Sequence, residues 1–416
     1  MRANAIPSMA AGWRLPNLWD AIAFVCVIGV LVGFGHVAEG TFVPINAPGA
    51  TEISLDPIHL PAYAVRTTLR MFAALAASLL FTFTYGTACA KSRRAALVLV
   101  PVLDVLQSVP ILGFLTFTVV FFMGLFPGKV MGLELAAIFA IFTSQAWNMA
   151  FSIYQSLRTV PADLKECAVS FHLTGWQTFW RLEVPFAMPG LVWNTMMSMS
   201  GGWFFVVASE AVSVGDNNWK LPGIGSYVAE ALDKRDIAAV VYAIVAMLVV
   251  ILAYDQLLFR PLVAWSAKFR FETTAGATAT DPWMLRLVRR TRLLKVIGTA
   301  IGDAAVWFGG LRLSFSVAPT SRRAPPSRIV DAVYGVLLLA AVAWALWRVI
   351  GFASQALAWS DVREALILGC FTLIRVTVLM IVASLIWVPI GVWLGLRPVW
   401  ARRAQPVAQF LAAFPA

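Results

Sequence analysis

Of the chain's 416 residues, 60% are hydrophobic and only 13% are charged, with a formal net charge of +11. Soluble globular chains carry roughly 25% charged residues, so half that charge over this length cannot coat a water-soluble surface. Length alone would allow two or three soluble domains, but long apolar runs override that reading. The positive balance then reads as Lys and Arg in cytoplasmic loops, with no nucleic acid as partner. The cysteines, Cys26, Cys89, Cys167 and Cys370, form no close pair and no metal-ligand spacing, which leaves neither a disulfide framework nor a zinc site.

Arg2 and Arg14 flank the approach to an apolar run over 18–37. Its length suits a bilayer span of roughly 20 residues better than a shorter signal-peptide core, and His36-Val37-Ala38 makes a poor cleavage site, so it reads as an uncleaved first span. Further apolar runs of spanning length lie at 65–90, 95–125, 131–153, 189–214, 237–259, 329–350, 365–396 and from 404 to the end. In hydrocarbon every backbone group must be paired internally, and these runs are too long for barrel strands, so they are expected to be helices.

Basic residues orient the chain. Lys91, Arg93 and Arg94 follow the second run; Arg158, Lys165 and Arg181 follow the fourth; Arg397, Arg402 and Arg403 follow the eighth. All these loops fall on one side if the N-terminus is cytoplasmic, while the 38–62 loop, with Glu39, Glu52 and Asp56, is acidic or mixed. After the sixth run comes a basic linker over 260–328, closing on Pro319, Pro325 and Pro326. Within it Trp283-Met284-Leu285-Arg286-Leu287-Val288-Arg289-Arg290 reads either as an amphipathic helix on the anionic leaflet or as a solvated basic linker.

A shift of about 305 residues brings features into register. Arg70 falls on Arg375, Gly86 on Gly391, Pro101 on Pro406, Leu106 on Leu411 and Pro110 on Pro415; Asp20-Ala21 and Asp331-Ala332 both precede apolar runs. The chain is therefore expected to hold a first unit over 1–259, the cytoplasmic linker 260–328, and a second unit starting over 329–416. The second copy breaks off at Ala416, inside the counterpart of the third run, which reads as truncation of a product with about twelve spans.

The loop over 160–185 is the most informative segment: Val160-Pro161-Ala162-Asp163-Leu164-Lys165-Glu166-Cys167-Ala168-Val169-Ser170-Phe171-His172-Leu173-Thr174-Gly175-Trp176-Gln177-Thr178-Phe179-Trp180-Arg181-Leu182-Glu183-Val184-Pro185. Pro161 suits the first turn of a helix. Leu164, Ala168 and Phe171 recur at helical spacing, as do Trp176, Phe179 and Trp180. Two short amphipathic helices separated by Thr174-Gly175 are expected, suited either to docking in a partner's groove or to resting on lipid.

This segment resembles the EAA loop of ABC importer permeases, the inner-membrane components of binding-protein-dependent transport systems. Glu166-Cys167-Ala168 is similar to the Glu-Ala-Ala opening with one change, and Trp176-Gln177, Phe179 and Val184-Pro185 fall in register with the later part. The family's usual glycine is replaced by His172, with the nearest glycine at Gly175, which leaves the exact turn geometry open but not the resemblance. Gln107-Ser108-Val109-Pro110 is similar to the family's helix ending before the permeation pathway, and Ala208-Ser209-Glu210 with Pro222-Gly223-Ile224-Gly225 to its Ala-Glu and Gly-apolar-Gly pattern. The nearest subgroup is the nitrate, sulfonate and taurine type, including fused forms. The resemblance implies a first loop helix that docks on a separate cytoplasmic ATPase, with Glu166, Ala168, His172, Gly175, Trp176 and Pro185 in the coupling loop. It also implies a periplasmic or lipid-anchored solute-binding protein, and ATP used only by the partner.

Polar groups inside spans are costly and tend to face the bundle or a pathway. Asp104, Gln107 and Ser108 share a helix face, and Asn148, Asn194 and Glu210 are further candidates for the pathway, against the alternative of helix–helix hydrogen bonds. Arg70 and Arg375 are expected near the outer ends of their spans, attracting an anion or snorkelling. There is no phosphate-cradling glycine loop, no catalytic constellation and no metal box; His36, His59 and His172 are far apart.

The expected fold is an all-α integral membrane protein: a polytopic helix bundle of two homologous permease units of about six helices each, the second incomplete. The expected function is import of a small solute, an anion such as nitrate or sulfonate, across the inner membrane, with membrane lipids as surroundings. Two rivals stand beside it: an ion-gradient-driven secondary transporter with duplicated halves, and a non-transporting assembly factor or receptor.

Overall fold

The computed structural model describes residues 52–214, 217–270, 291–313, 328–356 and 358–397, with isolated positions elsewhere. The expected runs at 18–37 and from 404 onward, and the stretch Trp283 to Arg290, lie wholly or largely outside the described residues. The chain divides into two compact units, Met1–Phe315 with Pro406–Ala416, and Ser316–Gln405.

In the first unit, α1 (Pro57–Lys91) opens where the Asp56 carboxylate accepts the Ile58 N–H at 3.0 Å. It contains a π-helical turn at Thr82–Gly86. There Gly86 lets two backbones meet, since a Cβ would lie 2.9 Å from the Ala150 carbonyl. α2 (Arg93–Ser108) starts where the Ser92 hydroxyl accepts the Ala95 N–H at 3.2 Å, and α3 (Ile111–Leu125) follows. The single span expected over 95–125 is therefore two helices. Pro110 pushes Val109 out of the helical region, to φ −76° and ψ 129°, and the helix stops at the residue before.

α4 (Val130–Thr159) is the central helix. Its buried face runs through Gly132, Ala136, Ala137, Ala140, Ala146 and Ala150. Small residues let helix backbones approach where lipid offers no hydrophobic drive between helices. Two short helices, α5 (Ala162–Ser170) and α6 (Gly175–Thr178), lead through a π-helical turn at Phe179–Glu183 into α7 (Val184–Glu210). α7 packs its small residues on α4: a Cβ on Gly190 would meet the Ser152 hydroxyl at 3.3 Å, and one on Gly202 the Gln145 amide at 3.3 Å. On α7, Trp203 is fully buried and donates Nε1–H to the Tyr254 hydroxyl of the helix over 237–269 at 3.0 Å.

The helix expected to reach residue 214 ends at Glu210. An antiparallel hairpin follows, β1 (Ala211–Val214) and β2 (Asn217–Lys220), pairing Ala211 with Lys220 and Val214 with Asn217. Apart from an isolated bridge between Pro44 and Lys129, it is the β-structure of an otherwise all-α fold among the described residues. α8 (Ile224–Asp233) follows the hairpin. α9 (Ile237–Phe269) runs past residue 259, where the composition placed the start of the linker. The stretch expected to be a linker contains α10 (Arg292–Gly310), which belongs to the first compact unit. The second unit contains α11 (Arg328–Ala356) and α12 (Trp359–Gly395).

Among the described residues, five helical segments are long and apolar enough to cross a membrane: Pro57–Lys91, Val130–Thr159, Ile237–Phe269, Ala332–Phe352 and Trp359–Gly395. α7 has the length, but Asn194, Thr195, Ser198, Ser200 and its glycines dilute its hydropathy.

The hairpin is clasped to α8 by Lys220, whose ammonium bonds Glu230 and Asp233 at 2.7 Å each. Hydrogen bonds from Lys220, then from Lys234, hold the Glu230 carboxyl below its ordinary value. A depressed carboxyl contributes stability above its unfolded pKa and loses it as pH falls through the folded one. Hydrogen exchange of the 217–220 amides should therefore stay slow near neutrality and accelerate only below the ordinary glutamate value of about 4.3. Acceleration between pH 6 and 5, well above that value, would mean that another group sets the clasp.

Candidate functional site

Two features of the first unit stand out, and the same two helices join them. The first is the loop between α4 and α7. Pro161 forces Val160 extended (ψ 122°) and caps α5, with Asp163 in the first turn where a carboxylate meets the positive helix end. Ala168 is buried, while Glu166 is exposed, as are Val169 (59%) and Phe171 (78%). α5 therefore offers an apolar and acidic face beyond its own packing.

α5 ends in a Schellman turn. The Leu173 N–H donates to the Ala168 carbonyl at 3.1 Å, and the His172 N–H to the Val169 carbonyl at 2.9 Å. His172 sits at φ +52°, the left-handed position where glycine is favoured. In the sequence, the histidine in place of the resembled family's usual glycine leaves the geometry of this turn open. The turn takes the left-handed backbone that glycine favours, and the imidazole is exposed.

Thr174 and Gln177 form a capping box at the start of α6. The Thr174 hydroxyl accepts the Gln177 N–H at 3.3 Å, and the Gln177 Oε1 accepts the Thr174 N–H at 3.1 Å. Gly175 opens this single turn, and the Trp176 ring lies tilted at 5.7 Å from Trp180. Pro185 falls in the first turn of α7, where its missing N–H costs nothing. The loop's exit is tied to the bundle by an ion pair between Glu183 and Lys91, and by the Trp180 ring at 5.9 Å from Phe83.

The second feature is a buried charge cluster at the far ends of α4 and α7. Arg70 on α1 is 3% exposed, so it neither snorkels nor faces an aqueous surface. Its guanidinium forks onto both Glu134 carboxylate oxygens and donates to Glu210 at 2.7 Å. Glu210, fully buried, also accepts from the Thr67 hydroxyl and from the Gly225 N–H, both at 2.7 Å. Its backbone carbonyl accepts from Leu221 N–H at 2.8 Å and Ser226 hydroxyl at 2.6 Å.

The Gly-apolar-Gly pattern now has its reason. A Cβ on Gly223 would sit 2.3 Å from the Glu210 carboxyl carbon, and one on Gly225 2.5 Å from the Val207 Cα. Only glycines let the carboxylate seat on the positive end of α8.

Of the residues expected to line a pathway, Asp104, Gln107 and Ser108 share an exposed face of α2, where Gln107 Nε2–H donates to Asp104 at 3.0 Å. Asn148 is exposed on α4. Asn194 is half-buried and spends its amide on the Gly190 carbonyl of its own helix at 3.0 Å. Glu210 does not join this group, because its oxygens are occupied inside the cluster. Sequence reasoning missed Glu134, Glu183 and Lys91 as partners. A charged residue within an apolar run was the available signal for Glu134. No group of residues able to hold a metal occurs among the described residues.

Residues 80–259 match the family described as binding-protein-dependent transport system inner membrane component. That is a family of transport permeases and not of enzymes, and the matched segment holds the loop, Glu134 and Glu210. The chain is 25% identical over 226 residues to the glycine betaine/proline betaine transport system permease protein ProW of Escherichia coli, covering 54% of this chain and 57% of that protein. It is 30% identical over 178 residues to the glycine betaine/carnitine transport permease protein GbuB of Listeria monocytogenes, covering 41% and 56%. It is 23% identical over 130 residues to the bicarbonate transport system permease protein CmpB of Synechococcus elongatus, covering 31% and 43%. The chain thus spans about half the length of these relatives.

Removing one partner from a buried ion pair leaves the other charge unpaired, at a cost of about 3–5 kcal/mol. Arg70→Gln should therefore lower thermal stability in detergent severely, whereas Arg375→Gln, at an exposed position of α12, should change it by less than about 0.5 kcal/mol. Equal unfolding temperatures for the two variants would contradict the cluster. His172→Gly should raise stability by about 1 kcal/mol by relieving the left-handed backbone, measured in the same assay.

Proposed function

We propose that this chain is the membrane-spanning permease of an ATP-driven, binding-protein-dependent importer. The observation that carries the reading is the loop over 160–185. It is a helix–turn–helix at the end of two long helices, it presents Glu166, Val169 and Phe171 outward, and it falls within the segment that matches the permease family. In this reading α5 seats in a cleft of a separate ATPase subunit, and α4 and α7 carry its movement into the bundle. ATP is bound and hydrolysed by the partner, and solute arrives from a binding protein on the other face of the inner membrane. Lys91, Arg158, Lys165 and Arg181 then lie on the cytoplasmic side.

The substrate is a small polar solute. The relatives are named for betaines and for bicarbonate, and both classes carry a carboxylate or a similar anionic group. The exposed face of α2 with Asp104, Gln107 and Ser108, together with Asn148, is the candidate lining. In this reading α11 and α12 belong to a second permease unit related to the first by duplication, with Gly391 and Arg375 the counterparts of Gly86 and Arg70.

Glu166→Lys combined with Ala168→Pro reverses a charge on the exposed face and breaks α5, a helix-interior proline costing about 3 kcal/mol. The double variant should still insert in the membrane, yet lose both co-purification of an ATPase subunit and solute uptake by cells. Retention of both would remove the importer assignment.

A further inference from the structure

The loop already has one partner, and it is a segment of this chain. The last carbonyls of any helix lack intrahelical donors. At the end of α10 the loop supplies them: Trp176 Nε1–H donates to the Phe308 carbonyl at 2.8 Å, and Gln177 Nε2–H to the Gly310 carbonyl at 3.0 Å. The Phe308 ring meets Trp176 edge-on at 4.9 Å and Trp180 at 5.3 Å. Such aromatic pairs add to the burial itself. The approach is close because the helix ends in two glycines. A Cβ on Gly309 would stand 3.2 Å from the Trp180 Cβ, and one on Gly310 3.1 Å from the Arg181 guanidinium. That guanidinium sits beside the negative end of α10, the sign that the helix dipole favours.

Gln177 joins the two helices through one amide. Its oxygen caps the start of α6, and its nitrogen caps the end of α10. α6 is a single turn followed by a π-helical turn, too short to hold its own orientation.

We propose that α10, within the first compact unit, is a built-in brace of the coupling loop: its Phe308–Gly310 end occupies the Trp176–Trp180 face, leaving α5 as the face that meets the ATPase. The division of faces rests on the loop reading given above; the seating of α10 does not. The brace fixes the loop's exit from one side while the Lys91–Glu183 pair fixes it from the other. A push on α5 then moves α4 and α7 instead of rotating α6 idly.

The test uses the full chain in phosphatidylethanolamine–phosphatidylglycerol nanodiscs, with hydrogen exchange followed by mass spectrometry. Gln177→Glu keeps an oxygen for the α6 cap, since glutamate is the usual partner in a capping box, but turns a carboxylate toward the Gly310 carbonyl. Phe308→Ala breaks the same contact from the α10 side and leaves the loop's sequence intact. Both variants should speed exchange across the end of α10 by about tenfold or more while exchange in α5 stays as in the unaltered chain. Both should still retain the co-purifying ATPase subunit and lose at least about fivefold in solute-stimulated ATP hydrolysis.

Unchanged exchange in both variants would overturn the brace. Faster exchange with undiminished stimulation would also overturn it, because α10 would then only rest against the loop. Loss of the ATPase subunit from both variants would overturn the division of faces. If no ATPase subunit accompanies even the unaltered chain, the importer reading fails; the exchange measurement still decides whether α10 is seated.

Discussion

A single guanidinium shared by two carboxylates in the interior organises the first unit. Arg70 reaches Glu134 from α1, Glu210 closes the cluster from the end of α7, and Thr67 and the Gly225 N–H at the start of α8 supply the further donors. Buried charges are tolerated only when paired and fully hydrogen-bonded. Once Arg70 lies inside the bundle, the ends of α4 and α7 and the start of α8 are committed to one arrangement. The turn at 221–226 follows from it, since the Glu210 backbone carbonyl takes Leu221 and Ser226 as donors.

The cluster and the loop are opposite ends of one mechanical unit. α4 starts beside the cluster and ends at the loop; α7 starts at the loop and ends at the cluster. From Glu134 to Thr159 a helix rising about 1.5 Å per residue covers nearly 40 Å, comparable to the thickness of a bilayer. Between those ends the two helices pack through small residues, Gly190 on Ser152 and Gly202 on Gln145, so that neither can shift without the other. The two helices thus form a closely packed connection between the loop and the charge cluster.

The loop is held by contacts of different kinds. A Schellman turn and a capping box are local and depend on residues a few positions apart. The Lys91–Glu183 pair and the α10 contacts bring together positions far apart in the chain. Local signals of this sort are visible in a sequence: Pro161, Thr174 with Gln177, and Pro185 all sit where helix termini need them. His172 shows the limit of such reading. A histidine in place of glycine left the turn open, and the structure closes it with a left-handed residue whose modest cost is outweighed by the hydrogen bonds of the turn.

The amino-acid sequence by itself determined that this is a membrane-embedded, helical chain, and it located the loop between α4 and α7 and the glycine pattern after Glu210. Apolar run length, charge depletion and capping residues act over a few turns, so they survive without knowledge of the fold. It did not determine that 95–125 is two helices about Pro110, that residues beyond 210 form a hairpin, or that α9 runs on to Phe269. Nor did it reveal where Arg70 and Glu210 go, or that Gln177 faces two helix ends at once. Those outcomes were decided only by the tertiary structure, because a polar side chain inside a bundle takes whichever partner the packing of distant helices brings within hydrogen-bond reach.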